Sequence, residues 1–203
     1  GAGLAGTIGA LVHSGEPVLI VCADVPRRRK GLQARLGGFA LCSWHALEHD
    51  PLIAQPFQHV LALDPPLCHD HETLLTQGNG YAHLAWGDPE LRFAQQIIEL
   101  EYGLRAPLAA LYRALRDAGG AEGEELEGQL RGDAERPRSP ALAGRLVRVL
   151  HELSLVSLDL DRLAVMVPAA QRTALERSEA FRAYERRREE AHTFLERATA
   201  RAA

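Results

Sequence analysis

Four short apolar runs, separated by polar stretches with helical character, set the strongest limit on how this chain can fold. They are PVLIVCAD (17–24), FALCSW (39–44), HVLALDPP (59–66) and YAHLAW (81–86). Runs that are apolar at nearly every position, rather than at every second one, belong to strands buried on both faces. Between them, PRRRKGLQARLGG (26–38), HALEHDPLIAQ (45–55) and HDHETLLTQG (69–78) read as helical connections. Strands alternating with helices predict an α/β class: a parallel, open, Rossmann-like sheet with right-handed crossovers and both faces covered.

After Gly87 the pattern changes. DPELRFAQQIIELEY (88–102) opens on an Asp-Pro cap and runs as a helix, and LRAPLAALYRALRDAGG (104–120) is an amphipathic helix stopped by two glycines. Residues 121–138 are acidic and glycine-rich with one weak helical patch, EELEGQLRG, and read as a flexible linker. SPALAGRLVRVLHEL (139–153) has a Ser cap, Pro in its first turn, and Leu142, Leu146, Val149, Leu150 and Leu153 at helical spacing. SLVSLDLDRLAVMVP (154–168) reads as two short strands around an Asp-Leu-Asp-Arg turn. Three helices followed by a hairpin is the order of a winged helix, and one long helix, about 174–199, ends the chain. The expected organisation is a parallel α/β subdomain over 1–87, a winged-helix-like α+β subdomain over 88–168, and a C-terminal helix within 169–203.

Several constellations carry chemistry in principle. GAGLAG, Gly1 to Gly6, matches G-x-G-x-x-G, and the strand that follows ends at Asp24, where a ribose-binding acid would stand. Such glycines need a preceding strand to aim them at a pyrophosphate. The sequence shows none before Gly1 and begins without Met, as a fragment would. CHDHE offers Cys68, His69, Asp70, His71 and Glu72, but ligands at i and i+2 of a helix point to different sides. His45 and His49 share a helical face and lack a third ligand. The expectation is a polar helix start with Asp70 and Glu72 in its favoured first turn. No G-x-S-x-G is present, and Ser43, Trp44 and His45 are only sequence neighbours. Asp24 and Asp64 stand at strand ends where open sheets bind ligands, yet two prolines follow Asp64 and favour a structural turn.

The 203 residues carry a net charge of −4, which argues against coating nucleic acid by bulk attraction. The third helix of the winged-helix order has only Arg145 and Arg148 as cations and no aromatic for stacking on bases. RRRK, Arg27 to Lys30, opens a helix, where positive charge wants an anionic partner. The last helix has eight arginines from Arg172 onward against six glutamates, and Phe181, Tyr184, Ala191 and Leu195 form an apolar stripe on it. Cys22, Cys42 and Cys68, one in each of three strands or strand ends, read as reduced core thiols. With no apolar run near 18 residues and no signal-peptide pattern, the expected location is cytoplasmic.

The order VLIVCAD, HVLALDPP, YAHLAWG, an arginine-containing helical pair and then a winged-helix-like unit resembles the C-terminal domain of the RecJ family of single-stranded-DNA-specific 5′–3′ exonucleases. The most specific part is VLHELSLVSLDLDRLAVMVPAAQRTALERSEAFRAY. There Glu152 and Leu153 close a helix before a hairpin, and Leu175, Ser178 and Phe181 form the Leu-x-x-Ser-x-x-[Phe/Tyr] opening of the last helix. The resemblance implies a nuclease core upstream of Gly1, with a DHH motif and manganese or magnesium ions. HDH at 69–71 has the wrong order for that motif. This chain would then hold no catalytic residue, cofactor or metal of its own. It would be an accessory interaction domain in DNA repair and recombination, with GAGLAG starting a helix laid against a helicase-like sheet.

The implied partner is the acidic, Phe-ended C-terminal tail of single-stranded DNA-binding protein, with a repair helicase as a further candidate and little direct nucleic-acid binding. A terminal carboxylate beside an aromatic ring wants a cation and an apolar pocket. Arg172, Arg177, Arg182 and Arg186, beside Leu175 and Phe181, are the expected partner-binding residues, and Arg27, Arg28, Arg29 and Lys30 are a second cationic cluster. The alternative reading is a nucleotide- or dinucleotide-binding α/β domain with a helical extension.

Overall fold

The structure, a computed structural model, describes residues 4–32, 37–135, 137–168 and 173–202, with side chains up to 198. The chain divides into two units, Gly1–Ile97 with Glu190–Ala203, and Ile98–Glu189.

The first unit is built on four parallel strands, Val18–Cys22 (β1), Ala40–Ser43 (β2), His59–Ala62 (β3) and Tyr81–Leu84 (β4), in the order β2-β1-β3-β4. Each is shorter than its apolar run, because Pro65 and Pro66 cannot extend a ladder and Trp44 already begins a helix. Leu4–His13 (α1), Val25–Leu32 (α2), Trp44–His49 (α3) and His69–Thr76 (α4) precede or connect the strands. β1 lies inside the sheet, so all five of its residues are buried. Its side chains alternate between faces. Leu19 and Val21 join Trp44, Leu47, Val60, Leu74 and Leu75, while Val18, Ile20 and Cys22 join Ile8, Leu61 and Leu63. The fourth run differs from expectation. β4 is an edge strand, and Tyr81 and Leu84 are mostly exposed.

Asp88–Tyr102 (α5) forms over the range expected, with Glu90 accepting the Gly87 N–H at 2.9 Å ahead of its first turn. The second unit continues with Arg105–Ala118 (α6), Gly120–Glu122 (β5), Gly123–Arg131 (α7), Pro140–Glu152 (α8), Ser157–Asp159 (β6) and Ala164–Met166 (β7). The three strands form an antiparallel sheet ordered β5-β7-β6. A 3-10 turn, Leu175–Arg177, leads into Glu179–Ala202 (α9). The core of this unit gathers the apolar stripes of its helices: Leu108, Leu111 and Leu115, then Leu142, Leu146, Val149 and Leu150, then Phe181. Ser139 caps α8 by accepting the Leu142 N–H at 2.9 Å, and Gly119, at φ 76, closes α6 in the left-handed region.

The stretch 121–138 is not a linker. Its start is β5 and α7, and Leu126 and Leu130 face the core from a helix whose other residues are mostly charged. Gly120 opens β5: at φ 133 a Cβ there would meet the Val165 carbonyl oxygen at 2.7 Å, so only glycine lets β5 lie against β7. No described helix is long and apolar enough to cross a membrane.

Candidate functional site

In the first unit β1 lies between β2 and β3, so the direction of connection reverses at the carboxyl ends of β1 and β3, where open sheets form a ligand crevice. The chain's own side chains fill that place. Asp64, fully buried, accepts the Ala23 N–H at 2.8 Å and Arg28 Nε at 3.1 Å, with a second contact from Arg28 Nη2 to its other oxygen. The Arg28 guanidinium lies over the Phe93 ring, 4.0 Å from its centroid. Burial pushes the Asp64 carboxyl above the ordinary carboxylate range, and the Arg28 and Ala23 hydrogen bonds draw it back down. Asp24 caps α2 through the Arg27 N–H at 2.8 Å and also pairs with the Arg27 guanidinium. The amide and acids that would face a nucleotide are therefore spent on internal contacts. Of the basic run, Arg27 and Arg28 are paired, while Arg29 and Lys30 are exposed. Gly1 and Gly3 lie outside the described residues, and Gly6 is inside α1.

The CHDHE segment opens α4, as expected. His71 is buried, stacks on Trp44 at 4.8 Å between ring centroids, and accepts the Leu67 N–H at 3.2 Å. His69 turns instead to Glu72, at 2.8 Å. Cys22 and Cys42 sit in the sheet core, whereas Cys68 precedes a helix rather than ending a strand, and is only half-buried.

The second unit holds a pocket of about 400 Å³ lined by Arg105, Leu108, Ala109 and Tyr112 of α6, by Leu150 and Leu155, and by Thr173 and Leu175. Leu108, Leu150 and Leu155 are buried and form an apolar lining. Arg105 supplies a cation, 61% exposed, whose Nη2 is 2.5 Å from Glu176 Oε1. That contact holds the Arg105 pKa above, and the Glu176 pKa below, their ordinary values. The Tyr112 hydroxyl is buried and finds no hydrogen-bond partner among the described residues.

The expected partner-binding residues separate in space and in role. Leu175 lines the pocket. Phe181 does not offer a surface: it is 1% exposed and belongs to the core, with the Arg105 guanidinium 5.0 Å from its ring centroid. Arg182 donates to the Glu176 carbonyl. Arg177 and Arg186 are exposed with no ion pair among the described residues. Arg172 lies outside the described residues. Arg105 and Tyr112 escaped sequence reading, although 105, 108, 109 and 112 are spaced i, i+3, i+4, i+7 and so share one stripe of α6.

Both arginines of α8 are held by acids. Arg145 Nη1 meets Glu101 at 2.6 Å with its guanidinium over the Tyr102 ring, and Arg148 meets Glu152 at 3.3 Å. Glu152 Oε2 also accepts the Ser178 hydroxyl at 2.7 Å and the Ala180 N–H at 3.0 Å, while Ser178 Oγ accepts the Phe181 N–H at 3.0 Å. Glu152, Ser178 and Phe181, quoted above for a family resemblance, thus form one fastening at the start of α9. The Ala180 N–H first, then the Ser178 hydroxyl, hold the Glu152 pKa below its usual value. Its stabilising effect is therefore complete above the unfolded carboxyl pKa and is lost as pH falls through the folded one. Ser178→Ala should cost about 1 kcal/mol in urea unfolding at neutral pH and less in acid, where Glu152 is protonated. An equal loss at both pH values would refute the shared role of the two groups.

Comparison with protein-family models, with curated proteins and with solved structures returns no match.

Proposed function

We propose that this chain is an accessory interaction domain of a RecJ-like single-stranded DNA 5′–3′ exonuclease in DNA repair and recombination. In this reading it brings the nuclease to its substrate by binding the acidic, Phe-ended tail of single-stranded DNA-binding protein. Catalysis and its manganese or magnesium ions belong to an upstream core. The observation that carries the reading is the α6 pocket, which sets a cation, Arg105, beside an apolar lining of Leu108, Leu150 and Leu155. A terminal carboxylate attached to an aromatic residue needs those two features together. The order α6–β5–α7–α8–β6–β7 supports a winged-helix-like unit. The capture of Arg145 and Arg148 by glutamates favours protein contact over a DNA groove.

Fluorescence polarisation with a labelled tail peptide tests this. Binding should fade with added salt, and removing the terminal Phe should weaken it more than removing one acid. Arg105→Glu and Ala109→Trp, which reverse the rim charge and fill the pocket, should each lower affinity about tenfold. Undiminished binding by both variants would place the site elsewhere, and no binding at all would overturn the recruitment reading.

A further inference from the structure

We propose that Glu176 is a built-in competitor for Arg105 at the rim of the α6 pocket, which an incoming carboxylate-ended chain displaces, so that Glu176 sets the affinity of the site. This rests on the reading of the pocket as a tail-binding site. Leu175 belongs to the apolar wall of the pocket, and the next residue places on Arg105 the carboxylate that such a ligand would bring. The 3-10 turn Leu175–Arg177 presents both side chains, and Arg182 secures it by donating to the Glu176 carbonyl.

The Arg105–Glu176 contact is built to be exchanged. Two Arg–Glu pairs of the same unit make the contrast. Arg145 and Glu101 are 11% and 16% exposed, the latter also accepting from Ser139, and they act as a fastener. Arg105 and Glu176 are 61% and 56% exposed, and an ion pair so open to water contributes little to stability.

An internal competitor lowers apparent affinity by the fraction of molecules in which it is seated. Glu176→Gln leaves the turn in place and removes the competing charge. It should tighten binding of the free-acid tail peptide about two- to fivefold at low salt, with the gain shrinking as salt rises. The same peptide with a C-terminal amide should show a smaller gain, and Glu176→Asp, which keeps the charge, should stay closer to the parent chain. The outcomes separate the two claims. If Glu176→Gln binds no more tightly while Ala109→Trp still blocks binding, the internal competitor is refuted and the pocket stands. If neither Ala109→Trp nor Arg105→Glu has an effect, or the peptide binds neither chain, both fall.

Discussion

Arg28→Ala should destabilise the first unit by about 3 kcal/mol at neutral pH, because it strands a buried carboxylate on a single backbone N–H. The direction with pH follows from Asp64. A carboxyl whose folded pKa lies above the unfolded value holds its proton more tightly in the folded chain, so stability falls as pH rises through that interval. Removing Arg28 takes away groups that pull the pKa down, which widens the interval. The deficit of the variant should therefore be largest near neutrality and shrink as the pH is lowered and Asp64 takes up a proton. Urea unfolding across that range decides it. A loss independent of pH would mean that Arg28 stabilises through its packing on Phe93 rather than through the ion pair.

Phe181→Ala should cost about 3–5 kcal/mol, the loss of a large core side chain plus the cavity it leaves. Peptide binding would disappear with the fold, so this variant alone says nothing about contact. Phe181→Leu separates the two roles. It keeps most of the volume, should cost less, and should bind the tail peptide as the parent chain does, since position 181 has no surface to offer. A Phe181→Leu chain with an intact thermal transition and lost binding would return Phe181 to the interface.

What could be read from sequence was whatever the physics makes local. The runs of β1 and β3 announce their burial because every position is apolar, and α5 and α8 declare their starts through Asp88-Pro89 and Ser139-Pro140. The misreadings share one cause, that a partner far along the chain decides the role. Arg28 reads as a free cation because Asp64 lies 36 residues away. Phe181 on an amphipathic stripe looks alike whether it meets its own core or another protein. β5 and α7 read as a linker because their apolar content is little more than Ala121, Leu126 and Leu130, which suffice once α6, α8 and β7 surround them. The pocket stripe 105, 108, 109, 112 was visible as a spacing, but the concavity opposite it comes from α8 and the turn before α9, which no window on α6 contains.

The two thiols of the sheet have a chemical consequence. Burial raises the pKa of both, that of Cys42 to about 12, and Cys22 Sγ points at the Cys42 carbonyl oxygen at 3.4 Å. At neutral pH Cys42 therefore stays a thiol, and the thiolate is the species that attacks peroxide and disulfides. Strands β1 and β2 can thus carry sulfur in the centre of the fold and stay inert to oxidants.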